Sequence, residues 1–142
     1  MDFFDSNISS LIETATNGAI GREWRNDLPE AAYNRIYLPQ AGEASFTINK
    51  QEYTMRSGQI YLIPAGTRME TYCREYCRLY WIHYTIKFGL TDNFFAVFPH
   101  EMERPANEND YTDMNCLVEL YDSHSMRDIL IRNAVLQRLT AS

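Results

Sequence analysis

The spacing of hydrophobic residues changes once along this chain. From about Gly18 to Phe88 it reads as short extended segments, rich in Tyr, Ile, Phe and Thr and separated by turn residues. Beyond an irregular acidic stretch at 99–110, apolar residues recur every third or fourth position. Strand side chains alternate between two faces, whereas helix side chains return to one face about every 3.6 residues. The switch therefore predicts strands first and helices last. A length of 142 residues suits one domain. Many short strands with regular turns point to a sandwich or barrel, so the expected class is mainly β with C-terminal helices.

Individual segments sharpen this. Residues 32–38 read as a strand stopped by a turn at Pro39-Gln40-Ala41-Gly42. Ser45-Phe46-Thr47-Ile48 and Glu52-Tyr53-Thr54-Met55 alternate, and Phe46 and Ile48 are expected in the core. A hairpin turn joins them at Asn49-Lys50 or Lys50-Gln51, where Asn49 tolerates a positive φ. The longest strand, 77–88, puts Leu79, Trp81, His83 and Thr85 on one face and Tyr80, Ile82, Tyr84 and Ile86 on the other. Bulky residues on both faces predict cover on both sides.

In the helical part Met114, Leu117, Val118 and Tyr121 form one stripe, with Thr112 or Asp113 as N-cap. The helix breaks at Asp122-Ser123-His124, and a second runs from about Met126 to Leu139 behind a capping box at Ser125 and Asp128. This second helix is apolar most of the way round. Leu130 and Ala134 lie on one side, and Ile129, Val135, Leu136 and Leu139 cover much of the other. One expectation is a two-fold dimer with Ile129, Leu130, Leu136 and Leu139 at the interface. The alternative is a helix tucked wholly into its own domain.

The most informative local pattern is Gly58-Gln59-Ile60-Tyr61-Leu62-Ile63-Pro64-Ala65-Gly66. A glycine opens a strand, apolar residues cross the layer, and Pro-x-Gly turns the chain sharply into the next strand. Gly42-Glu43-Ala44 precedes it, and Leu79-Tyr80-Trp81-Ile82-His83-Tyr84 and the helical pair follow. This order resembles the N-terminal, effector-binding cupin domain of AraC-type bacterial transcription regulators, from about Trp24 to Leu139.

The resemblance implies a cupin-like β-barrel (a double-stranded β-helix or jelly roll) followed by an antiparallel two-helix hairpin. It divides the chain into an N-terminal arm at 1–17, a ligand-sensing barrel at 18–100, and a linker with a dimerising hairpin at 101–142. The barrel would hold a small-molecule effector, a sugar or related metabolite, and the helices would form a homodimer. DNA would be bound only through a separate C-terminal helix-turn-helix domain, absent from this chain. The arm either closes over the ligand or is simply a disordered terminus.

Charge fits that division of labour. Thirteen Lys and Arg against nineteen Asp and Glu leave a net charge of −6, ill suited to releasing counterions from phosphate. The acidic start, Met1 to Ser6, lacks the basic and apolar regions of a secretory signal. No run approaches the ~18 apolar residues of a membrane span. Cys73, Cys77 and Cys116 cannot all pair. The expectation is a cytoplasmic chain with reduced, buried thiols and no membrane contact.

Metal-binding cupins carry a His-x-His pair and a Glu in their first motif, and another His after the Pro-x-Gly turn. Here no histidine precedes His83, and Met69 holds the post-turn position. Cys73, Cys77 and His83 lack a fourth ligand and a zinc-type spacing. Metal-free epimerase cupins rely on a His–Asp base and a Tyr acid, but His83 and Tyr84 fall on opposite faces of one strand. Neither a metal, another cofactor nor catalysis is therefore expected. The rival readings are a stand-alone cupin enzyme and a carbohydrate-binding module, acting on a sugar or small acid.

Matched onto the family's ligand-facing strand, Trp81 would stack on the ligand and His83 would hydrogen-bond it. Otherwise Trp81 is barrel packing and His83 a satisfied core histidine. Met69 and Thr71, after the turn, are expected in the cavity wall. Trp24 and Arg25 are placed on an early strand, where Arg25 either orients a carboxylate or sugar hydroxyls or sits on a solvated face. Arg35 and Tyr37 share a face of the next strand, and either line the cavity or fill core and rim.

Overall fold

The computed structural model describes residues 8–88, 95 and 100–141. In chain order its strands are β1 (Ile8–Gly21), β2 (Asn26–Leu28), β3 (Asn34–Ile48), β4 (Gln51–Arg56), β5 (Gln59–Ile63), β6 (Met69–Tyr72), β7 (Tyr76–Phe88) and β8 (Glu103–Pro105). Helices α1 (Glu108–Leu120) and α2 (Met126–Ala141) follow. Strands β1-β7-β3-β5-β8 lie side by side in that order, and all their pairings are antiparallel. A second layer is made by β2, β6, β4 and the far end of β3. The class is mainly antiparallel β with two C-terminal helices.

Strand β3 belongs to both layers. Residues 34–42 pair with β7, while 43–48 pair with β4. The turn expected at Pro39 to Gly42 is instead a corner inside one 15-residue strand. The register slips between Pro39 and Ala41, and such a bulge accommodates a residue that has no N–H to give. Gly42 then takes φ 74°, and a Cβ there would sit 2.2 Å from the Tyr76 carbonyl oxygen. Only glycine fits that bend. The β3–β4 hairpin turns on Asn49 and Lys50, both at positive φ, as a two-residue turn of the twist-matching kind requires.

Two boundaries differ from the sequence expectation. Residues 8–17 are not part of a loose arm: β1 pairs with β7 from Ile8↔Phe88 through Gly18↔Leu79. The hydrogen bonds that hold this stretch are backbone ones, so its polar sequence hid it. The rest of the expected arm, 1–7, lies outside the described residues. At the other end β8 lies in the expected linker and pairs with β5.

The core has two compartments, one on each face of the large sheet. Between the layers Tyr37, Tyr61, Ile63 and Leu79 pack against Phe46, Met55 and Met69. On the opposite face Ile36, Leu38, Ile60, Tyr80, Ile82 and Tyr84 pack beneath Met114 and Leu117 of α1 and Leu136 and Leu139 of α2. Strand β7 is thus covered on both faces, as its bulky alternation predicts. Leu136 and Leu139 are buried within this chain's own core, at 0% and 5% exposure. They are removed from the expected dimer interface. Ile129 is half-buried and Leu130 is exposed.

The helices are fixed by polar groups that a hydrophobic pattern does not display. Asn107, rather than Thr112 or Asp113, caps α1. Its Oδ1 accepts the Asp110 N–H at 3.0 Å, and the Asp110 carboxylate accepts the Asn107 N–H at 2.9 Å. Arg104 donates two bonds of 2.9 Å to that carboxylate. Burial opposes the Asp110 charge, but Arg104 and the Asn107 N–H outweigh it and hold the pKa below the ordinary value. Buried Asp113 receives Arg138 of α2. Arg132 donates to the Leu120 and Ser123 carbonyls, satisfying the free end of α1. The Ser125 hydroxyl accepts the Asp128 N–H at 3.1 Å and so caps α2.

Candidate functional site

Odd-numbered residues of β7, and of β3 before its bulge, point between the layers, and register brings them together. Arg35 lies opposite His83 and Tyr37 opposite Trp81. With Ile20 and Leu28, Trp24, Tyr33 and Leu79 complete the wall of a cavity of about 290 Å³. Five of the sequence-predicted site residues, Trp81, His83, Trp24, Arg35 and Tyr37, therefore converge. Three do not. Arg25 follows Trp24 in a turn between β1 and β2 rather than on a strand, and its guanidinium lies over the exposed Tyr72 ring at 5.0 Å. Met69 is buried among the interlayer apolar side chains. The Thr71 hydroxyl accepts the Asn26 N–H at 3.1 Å, tying β6 to β2. Both of these serve packing rather than the cavity wall.

The wall is assembled from rings at defined angles. Tyr33 stacks on His83, with centroids 4.4 Å apart and planes 18° apart. Trp24 meets Tyr37 edge-on at 6.1 Å. The Trp81 indole lies over Gly18 of β1, where an added Cβ would come within 3.2 Å of its Cη2. Gly18 therefore leaves the room this indole occupies.

Arg35 carries the electrostatics. It is 3% exposed, and its Nη1 is buried with no hydrogen-bond partner. The Tyr33 ring lies 5.1 Å from the guanidinium carbon, a cation–π contact. No carboxylate among the described residues pairs with it. A buried charge without a counterion is costly. Burial first, and Arg35 second, depress the His83 pKa to about 4, so the imidazole is neutral at pH 7. Burial likewise raises the Tyr37 pKa and keeps its phenol protonated. The cavity thus presents one positive charge in an aromatic and aliphatic wall. Alternation put Arg35 on the same face as Tyr37, but only the fold shows that its charge is unanswered.

A larger cavity of about 460 Å³ lies on the other face of the sheet, lined by Ile36, Ile60, Leu62 and Leu139 with His100, Glu101 and Arg104. Its arginine is already bound to Asp110. The interlayer cavity is the better candidate because its arginine has no carboxylate partner among the described residues and has a buried Nη1 without a hydrogen bond. Cys73 and Cys77 are buried free thiols away from either wall. Among the described residues no three His, Cys, Asp or Glu side chains are grouped to hold a metal, and no helix is long and apolar enough to cross a membrane.

No family model matches the chain, and no curated protein matches it. Three solved structures to which it is similar are distant. The EutQ protein of Clostridium difficile is 18% identical over 59% of this chain and 74% of its own, with a TM-score of 0.43. A cupin-2 domain containing protein of Shewanella frigidimarina is 16% identical over 54% and 70%, at 0.35. A cupin superfamily protein of Desulfitobacterium hafniense is 14% identical over 55% and 77%, at 0.41. Likenesses this remote assign neither family nor function.

Proposed function

We propose that this chain is the small-molecule-sensing and dimerisation domain of an AraC-type bacterial transcription regulator, a cytoplasmic cupin-type barrel whose DNA contacts belong to a separate domain. The observation that carries the reading is the two-faced strand β7. Its Trp81 and His83 line the interlayer cavity, while Tyr80, Ile82 and Tyr84 lie under the helices. Tyr80 and Tyr84 also touch the helices by hydrogen bonds, to Asn115 at 3.3 Å and to Thr140 at 3.1 Å. A ligand that shifts one face of β7 is one strand away from the helices. It would act by binding one arrangement of strand and helices more tightly than another.

The dimer proposal is carried by α2, where Met126 and Leu130 are 68% and 62% exposed, one helical turn apart. Half-buried Ile129 and exposed Ala134 continue this surface. We assign no reaction to the domain. The titratable groups of the cavity are one guanidinium, one imidazole and two phenols, with no carboxylate to act as a base.

Sedimentation at tens of micromolar tests the interface. A dimer is expected for the chain, and a monomer for Leu130→Glu. A monomeric parent chain would remove the coupling role proposed for the helices.

A further inference from the structure

We propose that the interlayer cavity binds a small organic monoanion, a carboxylate on a flat apolar body, with Arg35 as its anchor. The inference rests on the sensing role above and names the class of its effector. Arg35 is almost fully buried, its Nη1 is unpartnered, and it borders the cavity. Burial without a counterion is what an incoming carboxylate would relieve. A guanidinium offers paired donors in a fixed plane, and a carboxylate accepts both.

The rest of the cavity selects the body of the ligand. Trp24, Tyr37 and Trp81 supply ring surfaces, and Ile20, Leu28 and Leu79 supply aliphatic ones. At about 290 Å³ the space is at the small end of ligand pockets, which suits an acid of roughly ten non-hydrogen atoms. A neutral sugar would bring many hydroxyls against these walls, and buried hydroxyls without partners are costly. A doubly charged phosphate would meet only one cationic side chain in the wall. Tyr33, Tyr37 and His83 remain as neutral polar groups that can orient the carboxylate or a ring substituent.

Trp24 and Trp81 both line the cavity and are the two tryptophans of the chain, so intrinsic fluorescence reports on this site. The test titrates the whole chain with benzoate, phenylacetate and indole-3-acetate, and with benzamide, phenylacetamide and D-glucose, following fluorescence and calorimetry. At least one acid is expected to bind and change the fluorescence, and its amide to bind at least about tenfold more weakly. Arg35→Gln is expected to weaken the acid by the same factor and leave the amide unchanged. If that variant does not fold, acid against amide on the parent chain decides alone. Equal binding of acid and amide, undiminished acid binding by Arg35→Gln, or no binding of any acid overturns the proposal. A fluorescence response to D-glucose alone would end the anion assignment and leave the sensing role standing. Silence to every compound would count against both.

Discussion

Arg35 and His83 face each other across β3 and β7, and the guanidinium adds to burial in keeping the imidazole neutral. The His83 pKa is depressed from 6.5 to about 4. Between these values the unfolded chain binds a proton that the folded chain does not, so stability rises with pH through this window. The contribution is complete above pH 6.5 and is lost as pH falls towards 4. Allowing for partial exposure, it is on the order of 2 kcal/mol. Urea denaturation from pH 4 to 7 should show this slope, and His83→Asn should flatten it. His100 is also depressed by burial and contributes with the same sign, so only the difference between parent and variant isolates His83. Arg35→Met removes a buried charge that lacks a counterion, and should raise stability by about 1–2 kcal/mol. Thermal unfolding checks this, and NMR titration should show the His83 pKa moving up. At this scale the alternation that puts Arg35 and Tyr37 on one face is visible in the sequence, whereas Tyr33, just before β3, carries no such signal. Whether a carboxylate waits across the cavity depends on strands distant in sequence, and no local pattern encodes that.

The helices separate what a one-dimensional pattern merges. Leu130 and Leu136 look alike as apolar positions on α2, yet one is exposed and the other fully buried. Leu136→Ala should cost about 2–5 kcal/mol in denaturant unfolding, as core truncations do. Leu130→Glu should leave the unfolding free energy, extrapolated to low protein concentration, within about 0.5 kcal/mol of the parent. Hydrophobic period located the helices but not their ends. The first turn of α1, Glu108-Asn109-Asp110, has no apolar residue, so the stripe becomes visible only at Met114, well past the cap at Asn107. Asn107→Ala should cost about 1 kcal/mol by the same measurement. The strand pattern was most legible in β7, where both faces are bulky. It was least legible in β1, whose Thr14-Ala15-Thr16-Asn17 offers no apolar alternation and gains its place by pairing with β7.

At the scale of the whole molecule, one strand holds both layers together. In sequence Pro39 and Gly42 carry the usual signal of a stop. In the fold the bulge at Pro39 and the bend at Gly42 let β3 pass from one layer to the other without breaking. Gly42→Ala combines a positive φ with a contact of 2.2 Å to the backbone of β7, so something must shift. It should destabilise the domain by at least about 2 kcal/mol, and both cavity and helix packing should suffer together in hydrogen exchange.

Gly18 has the opposite reach. Because its bare α-carbon leaves the space into which the Trp81 indole fits, the place of one wall ring is set by a residue outside that wall. One added methyl at that position would act as a shim, crowding the indole and trimming the chamber from a residue that is not part of its wall. Relatives of this chain that recognise slimmer compounds can therefore be made, or be sought in nature, by adding bulk at that single unseen support.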